Sequence, residues 1–467
     1  MRALLFLVLF FLTGGLGTPC FAQNLDARLA EALSAPALVQ AEVGALVVRD
    51  RDGKVLFDFQ ANRNFVPASN AKILTAVAAL SHWGVAHRFT TVVESDRTPD
   101  IKGEVGKLCL RGGGDPLLTS EEWWRLAADL KLKGLRRVTG DVFLDASFFD
   151  KEEHHPLWGE VTDRAYHSGV VALAANYGAF QVVVAPIKSV GSRPRVLIDP
   201  PVPYLVLVNT AEMGSGLGSR LRVSRVKKEK IEEVHVSGDM LLDSVPASFY
   251  RNVSDPVSYA GSVFKMQLAA LQISIEGMVR VGKGECEERL LAFDGQPLSL
   301  TVQRFLKWSN NNIGEMLIKG LGASRKGKPG TWTKGLEAAH EEMSRFGVDL
   351  RSAVWVDGSG LSSENRLSPR ILVEVLQRAQ GSTFFGAEIK SSLPIGGLDG
   401  TLRERVARGG TQIRAKTGRI SGAMGLSGYA VDSSGDNLTF SVLVNGQSSP
   451  DGDIAIAIDN FVAILGD

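Results

Sequence analysis

At 467 residues, with 44% hydrophobic and 22% charged side chains, the chain has the composition of a soluble globular protein with room for two or three domains. Lys and Arg number 52 against 51 Asp and Glu, a formal net charge of +1. No global field therefore draws the chain to nucleic acid or to an anionic membrane.

Residues 1–22 stand apart: Arg2 supplies a positive start, Ala3 to Leu12 is apolar, Gly14 and Gly15 follow, and Cys20-Phe21-Ala22 offers small residues for cleavage. This reads as a secretory leader removed after Ala22, because a membrane span needs about 20 apolar residues and this run is shorter. The mature protein is expected to be exported, periplasmic and without an integral membrane segment. Cys109 and Cys286 then remain, an even pair able to form one disulfide in an oxidising compartment. Neither has a ligand-spaced Cys or His, and His154-His155 are adjacent, so neither a metal nor an organic cofactor is expected.

The mature chain begins with a predicted amphipathic helix over 24–34, then a hairpin of 43–48 and 55–59. Ile73 to Leu80 is apolar nearly all round, which marks a helix buried in a large core. Strands are predicted over 107–111 and 138–144. A helix between them runs to about Lys133, opened by a capping box of Thr119 and Glu122. Residues 191–255 alternate apolar and polar, as in Arg220-Leu221-Arg222-Val223, and predict a small β-rich unit. Helices follow over 260–275, 302–319 and 333–346, then strands over 423–431 and 438–444 and a last helix after Gly452.

Three short motifs punctuate this pattern: Ser69-Asn70-Ala71-Lys72, Ser309-Asn310-Asn311 and Lys416-Thr417-Gly418. Each alone is common, but their joint order points to serine acyl transfer. Ser69 and Lys72 are three apart at a helix start and share a face. The apolar run after them disfavours an ammonium, so Lys72 becomes able to take the Ser69 proton. Ser309 and Asn311, at a break in helical periodicity, are placed to relay a proton and to hold an amide carbonyl. Lys416 and Thr417 follow a short predicted strand, 412–415, and offer a cation and a hydroxyl to a carboxylate. Gly418 ends an edge strand where a substrate backbone would come close.

With these motifs the chain resembles the penicillin-binding D-alanyl-D-alanine carboxypeptidase/endopeptidase family of the penicillin-binding protein 4 (DacB) type. Asp357-Gly358-Ser359-Gly360-Leu361-Ser362, the stretch Leu393 to Leu402, and Arg111-Gly112-Gly113-Gly114-Asp115-Pro116 match that group as well. The resemblance implies an α+β multidomain fold. Its discontinuous β-lactamase/transpeptidase-like α/β/α sandwich comprises residues 23–98 and 288–467. A second domain, 99–190 with 256–287, is inserted in it, and the small β-rich domain 191–255 is nested in the second. The resemblance also implies an acyl-Ser69 intermediate, Lys72 as base, and Ser309, Asn311, Lys416 and Thr417 lining the cleft. Backbone N–H groups of Ser69 and Arg419 would form an oxyanion hole, and Asp145 would meet the free amine of a stem-peptide side chain.

Peptidoglycan stem peptides and cross-links are the implied substrates, β-lactams the implied acylating inhibitors; no oligomeric state follows. Two departures stand out: Asn310 replaces the usual Asp, and Ser363 replaces the usual Arg, with Arg366 the nearest substitute. A serine β-lactamase or esterase, or a non-catalytic peptidoglycan-binding scaffold, are the alternative readings.

Overall fold

The computed structural model describes residues 25–214, 219–406 and 412–466, and the expected leader lies outside the described residues. Segments far apart in sequence build one sheet. Strands Arg414–Ile420, Ala423–Val431, Asn437–Asn445, Glu42–Arg49 and Val55–Phe59 lie side by side in that order, every neighbouring pair antiparallel. The central strands are mostly apolar and buried without alternation because both faces are covered; residues 423–430 are all buried, and the polar Ser427 among them is matched by Ser441 at 2.9 Å. Helices Leu25–Leu33 and Asp451–Ala463 pack on one face through Leu29, Ile454, Ile458 and Phe461. Helices Lys72–Trp83 and Pro369–Gln380 cover the other through Leu74, Val77, Leu372 and Leu376, and Tyr429 Oη donates to Leu376 O at 2.7 Å.

Between Trp83 and Leu298 the chain leaves this sandwich. Strands Val279–Val281, Val142–Asp145, Leu108–Arg111, Arg88–Ser95 and Glu288–Pro297 form a second five-stranded sheet in that order. Helices Ser120–Leu132 and Pro256–Ala270 share its core, with the rings of Trp123 and Phe264 5.4 Å apart. Cys109 and Cys286 are bonded, Cα to Cα 6.1 Å, tying strand Leu108–Arg111 to the chain entering Glu288–Pro297. Further small sheets contain Ala179–Ala185, Arg195–Asp199 and Ala247–Asn252, then Leu205–Asn209, Arg222–Lys227 and Glu232–Ser237. The protein is thus a multidomain α+β molecule: a discontinuous α/β/α sandwich with a large insert that carries β-rich sheets.

Several elements differ from the sequence expectation for local reasons. The strand predicted over 138–144 is two, Arg137–Val138 and Val142–Asp145. Between them Gly140 lies so close to Gly106 that a Cβ would stand 2.4 Å from its carbonyl oxygen. Thr119 occupies the N-cap position of helix Ser120–Leu132, but its side chain makes no cap hydrogen bond and no capping box forms. Glu122 turns to Arg125 (2.5 Å) and Gln296 (2.6 Å), and Asn176 Oδ1 accepts from Ser120 N (2.8 Å) instead. The helix predicted to reach 275 ends at Ala270, since Ser274–Ile275 pairs in parallel with Arg137–Val138. The helical run 302–319 is two helices, Leu298–Trp308 and Asn311–Lys326.

Candidate active site

Helix Lys72–Trp83 is preceded by a 3₁₀ turn, Ala68–Ala71. Among residues 67–80 Ser69 alone keeps partial exposure; the rest are buried. Ala68 is held at φ 48°, a left-handed conformation that costs an L-residue about 1–2 kcal/mol. The loop opposite clamps it: a Cβ on Gly360, itself at φ +73°, would lie 2.0 Å from the Ala68 carbonyl oxygen.

Lys72 is fully buried, and its Nζ donates to Ser69 Oγ (2.9 Å), Asn311 Oδ1 (2.7 Å) and Ser359 O (2.6 Å). Burial lowers its pKa to about 7, although the nearby carboxylates of Asp357 and Glu315 act the other way. The amine can therefore take a proton from Ser69 near neutral pH.

Ser309 separates the two helices at φ 56°. Asn310 caps the second helix by accepting from Ile313 N at 3.1 Å. Asn and Asp cap about equally well, which accounts for Asn at this position. Lys416 Nζ donates to Ser309 Oγ at 2.9 Å and to Thr417 O at 2.6 Å. Lys416 is fully buried, and its pKa falls well below the usual lysine range through burial first and the Lys72 charge second.

The Lys416-Thr417-Gly418 motif lies inside strand Arg414–Ile420, not after a strand over 412–415. Gly418 is needed for a different close approach from the one expected. A Cβ there would stand 2.4 Å from Asn70 Nδ2 and 2.6 Å from Pro67 O, so the strand packs directly on the Ser69 turn. Ala415 N donates outward to Pro394 O, and the alternation of the strand turns the N–H groups of Thr417 and Arg419 to that same free edge. The Thr417 hydroxyl is 2.7 Å from that of Thr401, and the Arg419 side chain pairs with Asp451 at 2.7 Å.

The structure thus joins Ser69, Lys72, Ser309, Asn311, Lys416 and Gly418 into one cluster. Asp145 is elsewhere: it ends a strand of the second sheet, accepts from Ser147 N at 2.9 Å, and none of its hydrogen bonds reaches this cluster. Arg366 folds its guanidinium onto the carbonyls of Ser363 and Asn365.

Residues to which sequence reasoning assigned no role form the floor of the site: Asp357, met in sequence only within a matching motif, and Glu315. Asp357 is fully buried and accepts from Gly360 N (2.7 Å), Ser362 N (2.8 Å), Asn365 Nδ2 (3.0 Å) and, from the insert, Trp158 Nε1 (3.0 Å). Glu315 accepts from Ser359 N, Gly358 N and Trp332 Nε1. The insert also reaches Asn311, whose Nδ2 donates to Tyr166 O at 3.1 Å. The signal available for Glu315 was a lone acid one turn beyond Asn311 in an otherwise buried helix face. Among the described residues no His, Cys, Asp and Glu group could hold a metal, and no helix is long and apolar enough to cross a membrane.

The model of the D-Ala-D-Ala carboxypeptidase 3 (S13) family matches residues 25–465. The chain belongs to this family. It is a serine-type D-Ala-D-Ala carboxypeptidase, a hydrolase. Among S13-type relatives, the D-alanyl-D-alanine carboxypeptidase of Actinomadura sp. (strain R39) is 33% identical over 96% of this chain and 86% of that one. The crystal structure of penicillin binding protein 4 (dacB) from Haemophilus influenzae shares the fold, with a TM-score of 0.78 at 22% identity over 93% of this chain and 98% of that one. The same Haemophilus protein complexed with a β-lactam superposes with a TM-score of 0.74 at 21% identity, over 94% and 100% of the two chains.

Proposed function

We propose that this S13 enzyme hydrolyses the D-Ala-D-Xaa bond of peptidoglycan stem peptides, and of their cross-links, through an acyl-Ser69 intermediate. The observation that carries this reading is the 2.9 Å contact of Lys72 Nζ with Ser69 Oγ, made by an amine whose pKa burial lowers to about 7. Ser69 Oγ attacks the carbonyl carbon of the penultimate D-Ala, and its proton passes to Lys72. The oxyanion is held by the N–H groups of Ser69 and Arg419, the second of which faces the free strand edge. Collapse breaks the C–N bond, and the leaving amine is protonated through Ser309, whose hydroxyl Lys416 orients. Water then releases the acyl group.

In this reading Thr417 and Lys416 serve the substrate carboxylate, and Asn311 holds an amide carbonyl. Asn311 has a second amide hydrogen for that task beside the one given to Tyr166. The terminal stretches, up to Trp83 and from Leu298, supply the reacting groups, and the chain between them is the insert; the expected boundaries 23–98 and 288–467 left strands Arg88–Ser95 and Glu288–Pro297 with the sandwich, whereas both pair in the second sheet. Export to the periplasm fits the apolar leader and the Cys109–Cys286 bond.

Labelling with a fluorescent penicillin, wild type beside Ser69→Ala, tests the reading. A covalent adduct in the wild type and none in the variant is expected; equal labelling of both, or of neither, removes it. Rapid release of the penicilloyl group would favour a β-lactamase instead. Digestion of purified monomeric and cross-linked muropeptides separates carboxypeptidase from endopeptidase action.

A further inference from the structure

Glu315 is a fully buried carboxylate that the acylation scheme does not use. It lies one turn after Asn311 in helix Asn311–Lys326, so its side chain leaves the same helix face toward the loop carrying Ser359. There it meets three donors: Oε1 accepts from Ser359 N at 2.7 Å, and Oε2 accepts from Gly358 N at 3.0 Å and Trp332 Nε1 at 2.8 Å. All three are neutral N–H groups. Helix and loop touch closely here, since a Cβ on Gly358 would stand 2.5 Å from Gly314 O.

The loop held in this way faces Lys72. The peptide unit joining Gly358 to Ser359 is fixed at both ends, its N–H by Glu315 and its carbonyl by Thr75 Oγ1 at 2.7 Å. In the next unit Asp357 Oδ1 takes Gly360 N, and the Ser359 carbonyl oxygen receives Lys72 Nζ at 2.6 Å. That carbonyl and Asn311 Oδ1 together leave the amine aimed at Ser69 Oγ.

We propose that Glu315 is a positioning residue for acylation: by holding the N–H groups of Gly358 and Ser359 it sets the Ser359 carbonyl against Lys72 and so aims the amine at Ser69. A carboxylate is required because donors arrive on both oxygens; an amide presents one acceptor oxygen and would face the remaining N–H with its own NH₂. The charge matters as well. Asp357 and Glu315 raise the affinity of Lys72 for its proton, against the burial that lowers it, and burial with the Asp357 charge raises the pKa of Glu315 itself to about 7, so it carries its charge from about neutral pH upward. The charged and titratable groups near Glu315 are Lys72 on helix Lys72–Trp83, Asp357 on the facing loop and Lys319 on its own helix. His155, in ring contact with Trp332, completes the set.

The inference rests on the proposed acyl-Ser69 chemistry, which the Ser69→Ala labelling tests separately. Its own test is Glu315→Gln in the full chain, measured by stopped-flow acylation with benzylpenicillin, thermal melting and the pH profile of the acylation rate constant. The expected result is a folded protein with an acylation rate constant about 10- to 100-fold lower and an unchanged dissociation constant for the non-covalent complex. Because burial raises the pKa of Glu315 itself to about 7, its charge acts on Lys72 near and above neutral pH, and there its removal should shift the acid limb's midpoint to lower pH. An unchanged rate constant overturns the proposal. So does a fall matched by weaker non-covalent binding with the acid limb unmoved, which is the pattern of a merely structural residue. Should Glu315→Gln fail to fold, Thr75→Val decides, because it frees the Gly358 carbonyl while keeping every charge. Slower acylation at constant non-covalent affinity supports the role, and no change overturns it.

Discussion

Trp158 Nε1 donates to Asp357 Oδ2 at 3.0 Å, joining the insert to the loop beneath the nucleophile across 199 positions of sequence. Asp357 is fully buried and its other hydrogen-bond partners are local, so this indole is one contact through which the insert holds the loop, beside His155 at the Val356 backbone. A hydrogen bond to a buried charged group contributes about 1.5–3 kcal/mol. Trp158→Phe should lower the melting temperature and slow penicillin acylation together, although Trp158 touches neither Ser69 nor Lys72. Wild-type acylation in a destabilised variant would show that the loop keeps its place without the insert.

The acid limb of acylation should reflect Lys72. Its pKa lies near 7, so the fraction of neutral amine, and with it the rate, should fall about tenfold per pH unit well below that value. The sign for stability is opposite to that of a stabilised cation. Between about 7 and the ordinary lysine value the unfolded chain holds a proton that the folded chain has lost, so this group's contribution to stability rises with pH there. Stopped-flow acylation from pH 5 to 9 checks the first statement, and denaturant unfolding from pH 7 to 10 the second.

Gly418→Ala should be far more damaging than its size suggests. The added methyl would meet Asn70 Nδ2 at 2.4 Å and Pro67 O at 2.6 Å, forcing strand Arg414–Ile420 away from the Ser69 turn. Overpacking of this kind costs about 1–3 kcal/mol, and acylation should drop with it. Gly452→Ala is the control: nothing lies within 4 Å of its Cβ, it sits in the first turn of helix Asp451–Ala463, and no loss of stability is expected. Melting temperatures of the two variants beside wild type would separate these outcomes.

Much of the site was legible because its logic is local. Three-residue spacing at a helix start brings Ser69 to Lys72, and the apolar run Ile73 to Leu80 announces the dry core that lowers the amine's pKa. The central strands were equally plain, since predominantly apolar runs such as 423–431 have few other uses. Glu315 and Lys319, four apart, have the spacing of an ordinary helix-surface pair, and nothing in sequence assigns either a role. In the structure they diverge, Lys319 to Asp150 at 2.6 Å and Glu315 to the Ser359 loop. The Trp158–Asp357 contact has no local signature at all. Strand Arg414–Ile420 was read too short because a buried lysine looks like a strand's end; the acceptors supplied by Ser309 and Thr417 make that burial tolerable.

The strand order of the catalytic sheet has a consequence for how the protein comes into being. Glu42–Arg49 bonds to Asn437–Asn445, and Arg414–Ile420 closes the far edge, so strands made early wait for residues translated much later. Such long-range pairing is slow to form and leaves edges open meanwhile. The Ser69 turn accordingly has no Lys416, no Gly418 and no complete floor until nearly the whole chain has been released. A nascent or truncated chain would carry the serine but remain chemically silent, and its reactivity would switch on with the final act of folding.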